Sequence, residues 1–187
     1  MSLRNTVRDW GTVSRVLHWI SALVLLGMLA DGWWMTHLVA REGRLAQYGL
    51  HAMAGVYFGL LLALRLAWRS SEVTPAYPIE SSPWQQAAAR IAHVGLYLLM
   101  LAVVVSGWLQ WSAFARRSEV LLLGVVKVPF VFAEPDRQIA KTFESAHELL
   151  AYGLLALVLI HIGAALWHHF VKRNDVLSRM AGGGIRA

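Results

Sequence analysis

The chain contains no cysteine. That excludes structural disulfides, cysteine-ligated iron–sulfur clusters, thiolate-ligated haem and covalent haem attachment through C-x-x-C-H. Any haem bound here is b-type, held by His or Met. Charge is scarce as well. Only 15% of the 187 residues are charged, against 57% hydrophobic residues and a mean hydropathy of +0.50. Such values are high for a soluble domain and normal for a polytopic membrane protein. Acidic residues are fewer than basic ones, 11 against 17, for a net charge of +6. The basic residues lie in links between apolar runs. That suits membrane topology, and no nucleic-acid partner is expected. There is no internal repeat or low-complexity tract, and the length is that of one domain, 1–187.

Four apolar runs are present, at about 16–36, 48–68, 91–112 and 145–170. Each is close to the roughly 20 residues that a membrane span requires. Arg4, Arg8 and Arg15 before the first run could mimic a signal peptide. The run is too long for a signal h-region, has no clear small-residue cleavage site and contains His18, so it reads as a span. Trp19, Trp33 and Trp34 lie towards its ends, as interfacial aromatics do, and Asp31 is expected at the far interface. The second span has His51 in its first turn and Arg65 in its last. Its Gly55 and Gly59, four apart, permit close helix approach or make room for a flat cofactor.

Residues 69–82, with Pro75, Pro78 and several serines, read as a loop. Ser82-Pro83 then looks like an N-cap followed by proline at the first helical position. The third helix carries His93, which has no evident partner by depth and reads as a packed or hydrogen-bonded side chain. In the long link 115–144, the segment 120–132 is apolar but interrupted by Gly124, Lys127 and Pro129, and is too short to span. It is expected to touch the headgroups or to cover the bundle end. Glu134-Pro135-Asp136 looks like the start of one long fourth helix, which makes the capping-box match of Ser145 with Glu148 accidental. The expected fold is therefore all-α, an integral membrane four-helix bundle. Ten of the basic residues fall on the side of the termini and seven on the other, which predicts that both termini are cytoplasmic.

Ionisable groups inside spans are rare and usually functional. The fourth span holds His147 and His161, 14 positions apart. On a helix they fall within about 40° of each other and about 21 Å apart along the axis. With alternating helix direction, His18 lies at the level of His161, and His51 at the level of His147. Four-helix bundles build cofactor sites from side chains on facing helices. Two bis-histidine haems, one per leaflet, follow from this spacing. The competing reading for any single histidine is a hydrogen bond to a neighbouring helix. Zinc or copper is a further alternative, although zinc prefers about four ligands at one site, and two separated pairs do not supply them.

Several stretches carry a family resemblance. They are R-V-L-H-W (15–19), H-A-M-A-G (51–55), H-E-L-L-A (147–151) and the tail H-I-G-A-A-L-W-H-H-F-V-K-R-N-D-V-L-S-R-M (161–180). The sequence resembles the prokaryotic cytochrome b561 proteins of the bacterial inner membrane over nearly its whole length. The resemblance implies a multi-pass inner-membrane protein with four helices, two non-covalent b haems and electron transfer with quinone, ubiquinone above all. It gives His18, His51, His147 and His161 the ligand roles. The family includes members resembling superoxide oxidases, which pass an electron from superoxide outside to ubiquinone. It is also similar to cytochrome b subunits that anchor hydrogenases and other dehydrogenases. The expected function is electron transfer between a small reductant at the outer face and membrane quinone. The alternative is an anchor subunit serving a larger redox protein.

Haem propionates need cationic partners. Candidates are Arg8, Arg15 and Arg65 on the inner side and Arg41, Arg44 or Lys141 on the outer side. His168 lies seven residues beyond His161, on nearly the same face and about 10.5 Å further along the helix, where a quinone headgroup could lie. Trp167 could wall that place. The plain alternative is that His168 and His169 complement the helix C-terminus.

Overall fold

In a bilayer no water satisfies the backbone, so a spanning chain must close its hydrogen bonds within each segment. The apolar runs do this as helices. The computed structural model describes residues 2–77 and 81–182. Its elements are α1 (Thr12–His37), α2 (Arg44–Ser71), α3 (Pro83–Ala113), β1 (Leu121–Leu122), β2 (Val126–Lys127), α4 (Arg137–Phe170) and α5 (Val176–Ala181). The first three helices and α4 are each long and apolar enough to cross a membrane. They form an all-α four-helix membrane bundle. Pro78 of the expected loop and Arg186 of the basic tail lie outside the described residues.

Helix ends follow the local chemistry. Pro83 opens α3, and the Ser82 backbone N–H donates to Gln85 Oε1 (3.0 Å). Asp136 caps α4 through its side chain, which accepts from the Ile139 N–H (2.9 Å). One continuous α4 therefore runs through Ser145, and the capping-box pattern there is accidental, as expected. Each helix extends beyond its apolar run, because hydrogen bonding continues into the polar flanks.

The closest backbone packing is α3 on α4, then α1 on α2 and α2 on α3; α1 and α4 approach less closely. The buried layer takes Leu25 from α1, Phe58 and Leu62 from α2, Met100 from α3, and Leu154 and Val158 from α4. A Cβ on Gly59 would stand 3.0 Å from Val104 Cγ1, so this glycine serves close approach of α2 to α3. Gly55 is more open, with only Met28 near its missing Cβ. Large apolar side chains such as Leu23, Leu60, Leu64, Leu98, Leu159 and Ile160 face outward, as lipid-facing residues do.

The segment 120–132 contains a small antiparallel hairpin, with Leu121 opposite Lys127 and Leu122 opposite Val126. Leu123 and Gly124 at its tip both have positive φ, 52° and 73°. The Leu123 N–H donates to the Tyr57 hydroxyl of α2 (2.9 Å), so the hairpin leans along that helix. Arg117 ties the link down through the carbonyls of Phe132 (3.0 Å) and Ala133 (2.7 Å) and lies over the Phe130 ring. At the opposite end the N-terminal segment folds back, with Arg4 paired to Glu72 (3.2 Å). The short helix α5 docks there too, where the Trp19 indole donates to the Met180 carbonyl (3.0 Å).

Candidate functional site

The bundle brings the histidines together at two levels. Near the end that carries the termini, His18 of α1 faces His161 of α4, with ring centroids 6.3 Å apart and planes at 65°. Near the far end, His51 of α2 faces His147 of α4, also at 6.3 Å, with planes at 89°. Both pairings match the depth argument. Leu154 and Val158 lie between the two levels on α4, and Leu25 lies between them on α1.

At the far end the rings are fixed by hydrogen bonds through Nδ1. His51 Nδ1 meets Asp31 Oδ2 at 2.8 Å. A carboxylate only accepts, so the ring donates and Nε2 keeps its lone pair. Gln47 Nε2 donates to the other carboxylate oxygen, Asp31 Oδ1 (2.6 Å). His147 Nδ1 meets the Val103 carbonyl (2.9 Å) and lies 3.3 Å from Ser106 Oγ. A Cβ on Gly107 would stand 2.9 Å from His147 Cε1 and 3.0 Å from Nδ1, so only glycine leaves room for this ring.

At the terminal end Arg65 of α2 lies 2.8 Å from His18 Nδ1. A guanidinium only donates, so Nδ1 accepts here, and ligation through Nε2 requires Arg65 to yield that contact. Arg65 also lies over Tyr97 (5.3 Å), and Arg69 lies over Trp10 (5.7 Å). Arg65, Arg69, Trp10, Ser14, Leu17 and Tyr97 line a small cavity. His93 is not isolated, contrary to expectation: its ring packs against His161 at 5.5 Å. The signal was available, because His93 lies about as far into α3 as His161 lies from the end of α4. Its reading as a packed histidine stands.

The other candidate residues sit as follows. Arg15 donates to Thr12 Oγ1 (3.1 Å), and Arg44 to the Val39 carbonyl (2.9 Å). Arg8, Arg41 and Lys141 are exposed. His168 Nδ1 meets Asn174 Nδ2 at 2.8 Å, and Trp167 packs edge-on against it at 5.1 Å. His169 packs on Phe170.

An iron held by two imidazole nitrogens at about 2 Å each needs ring centroids about 6 Å apart. Both pairs meet that spacing, and the donor set is the His set that b-type haem uses. Among the described residues no cluster of three His, Asp or Glu side chains is arranged for a metal ion.

The profile of the prokaryotic cytochrome b561 family matches residues 9–183. The chain belongs to that family. It is 34% identical over 183 residues to "Cytochrome b561 homolog 2" of Escherichia coli K12, covering 97% of this chain and 96% of the relative. It is 30% identical over 172 residues to "Cytochrome b561 homolog 1" of the same organism, covering 88% and 92%. A third relative, "Probable superoxide oxidase CybB" of Yersinia pestis, is 28% identical over 131 residues, covering 70% and 72%. Family membership makes this a b-haem protein of membrane electron transfer, and with the four apolar helices a multi-pass membrane protein.

The tight fit at Gly107 gives a direct test. Gly107→Ala is expected to displace the His147 ring and to lower haem per chain, with helix content preserved. Pyridine haemochrome analysis against circular dichroism checks this. An unchanged haem ratio would mean that the ring shifts without consequence.

Proposed function

We propose that this chain is a di-haem electron conduit of the bacterial inner membrane with both termini in the cytoplasm, taking electrons from a small outer reductant and delivering them to quinone. The observation that carries this reading is the pair of 6.3 Å histidine couples hung from one helix. His18 and His161 would hold the cytoplasmic haem, and His51 and His147 the outer one. When bound, each haem b would supply a one-electron iron couple, and two histidines committed to its iron would favour outer-sphere transfer over oxygen binding. Asp31 and the Val103 carbonyl orient the outer ligands through Nδ1, as partners behind metal-bound histidines do. Arg65, beside His18, is the cation we assign to a propionate at that end.

Superoxide is the reductant we favour. It is a small anion, and Arg41, Arg137 and Lys141 are exposed on the outer side. The relative named as a probable superoxide oxidase supports the choice. Ubiquinone is the proposed acceptor, at the cytoplasmic end near His168. The Asn174 amide donates to His168 Nδ1, which leaves the proton on Nε2. The Asn174 carbonyl oxygen is turned to the Val176 N–H (3.4 Å), which fixes that orientation. An imidazole N–H set in this way can donate a hydrogen bond and a proton to a quinone oxygen.

The purified chain should contain about two haems by its ligand count. His18→Ala and His161→Ala should remove one haem, and His51→Ala and His147→Ala the other. The single chain should reduce ubiquinone with superoxide, at a rate that falls as salt rises. Two haems with no reaction, rescued only by a co-purifying dehydrogenase, would replace the enzyme by the anchor-subunit reading. A ratio of one haem per chain would sink the paired arrangement.

His168 is tested against its neighbour. His168→Ala should lose quinone reduction while both haems are still reduced by the donor, and His169→Ala should keep it. Normal turnover in His168→Ala would leave only the helix-end role.

A further inference from the structure

The two histidine levels differ in the charge placed behind them. At the far end Asp31 stands 2.8 Å from His51 Nδ1, with side-chain exposures of 27% and 15%. It comes from α1, six residues before the helix end, and reaches across to α2. Its second oxygen is held by the Gln47 amide at 2.6 Å. The partner ligand, His147, is backed by a neutral carbonyl and a hydroxyl. At the terminal end the group behind His18 is a cation, Arg65. Among the described residues no acidic side chain pairs with His18 or His161. One end therefore carries a negative charge against its ligand ring and the other a positive charge.

We propose that Asp31 is a positioning residue that holds the Nδ1 proton of His51 and sets the outer haem at a lower reduction potential than the inner one. This inference rests on the di-haem reading above. A carboxylate behind a metal-bound imidazole makes that ligand more basic. A more basic ligand, and a nearby negative charge, favour the oxidised iron over the reduced one. The Gln47 amide tempers the effect, because it stabilises charge on the carboxylate and so withholds it from the ring. At the other end Arg65 leaves His18 Nδ1 when that ring ligates through Nε2, and no carboxylate among the described residues takes its place. The carboxylate at the far end alone therefore makes transfer from that end towards the terminal end the downhill direction. It gives the conduit a polarity that the symmetric ligand sets lack.

The test is redox potentiometry of the full chain in detergent, with haem per chain measured on every sample. The far-end couple is identified as the one missing from His147→Ala. In Asp31→Asn, an uncharged group of the same shape, that couple should become about tenfold easier to reduce, which for a one-electron couple is a rise of about 59 mV. The other couple should stay in place. In Gln47→Leu the carboxylate loses its second donor, and the far-end couple should move the opposite way. A structural role alone would move both variants in the same direction, or not at all. If Asp31→Asn sheds the far-end haem, Gln47→Leu still decides: a downward shift supports the proposal, and no shift or an upward one overturns it. Equal potentials for Asp31→Asn and the unsubstituted chain, with haem retained, also overturn it. Haem stoichiometry in the unsubstituted chain judges the di-haem reading separately, so the two failures are distinguishable.

Discussion

Fourteen residues of α4 separate His147 from His161, and about 21 Å of helix rise sets the height of everything else. The other three helices must present their groups at those two levels or leave the imidazoles unpartnered. In lipid this matters more than in water. Apolar side chains gain nothing by turning from hydrocarbon to one another, so helix association depends on close packing and on polar ties. The histidine levels are where those ties are made. His147 to the Val103 carbonyl joins α4 to α3, Asp31 to His51 joins α1 to α2, and Arg65 to His18 joins α2 to α1. Between the levels lies the apolar layer of Leu25, Phe58, Leu62, Met100, Leu154 and Val158. The bundle is thus pinned by polar contacts at two heights and packed with apolar side chains between them.

The sequence made the helices and the two pairs legible for the same reason. Span length is imposed by the bilayer, and alternating direction converts position within a span into depth. Depth pairs His18 with His161 and His51 with His147 without any knowledge of side-chain contacts. Depth within the apolar run says too little for His93, because α3 has extra turns before that run, and these bring His93 to the level of His161. The position of Asp31 in its span predicts an interfacial residue, but its rotation towards His51 depends on how α1 packs on α2. The hairpin at 121–127 shows in the sequence only as an interrupted apolar segment, since two-residue strands are too short to leave an alternating pattern. The fold-back of the N-terminal segment onto Glu72 and the docking of α5 by Trp19 involve partners 67 or more residues away. Local sequence carries no signal for either.

The terminal end sets a choice that the far end does not. Two imidazoles, His18 and His93, approach His161, and the nearer is His93, at 5.5 Å against 6.3 Å. Proximity alone would select His93. Seating an iron between two rings argues the other way, because it demands about 6 Å between centroids and room for a flat macrocycle. His93 and His161 come from α3 and α4, whose backbones pack most closely in the bundle, so little space exists between them. His18 reaches His161 from α1, across the wider separation. The missing side chain at Gly107 and the close α2–α3 approach at Gly59 and Val104 show where the bundle is tight. The α1–α4 gap is where it is not. On the proposed di-haem reading, His93 is a ring packed beside His161 and His18 is the partner across the gap.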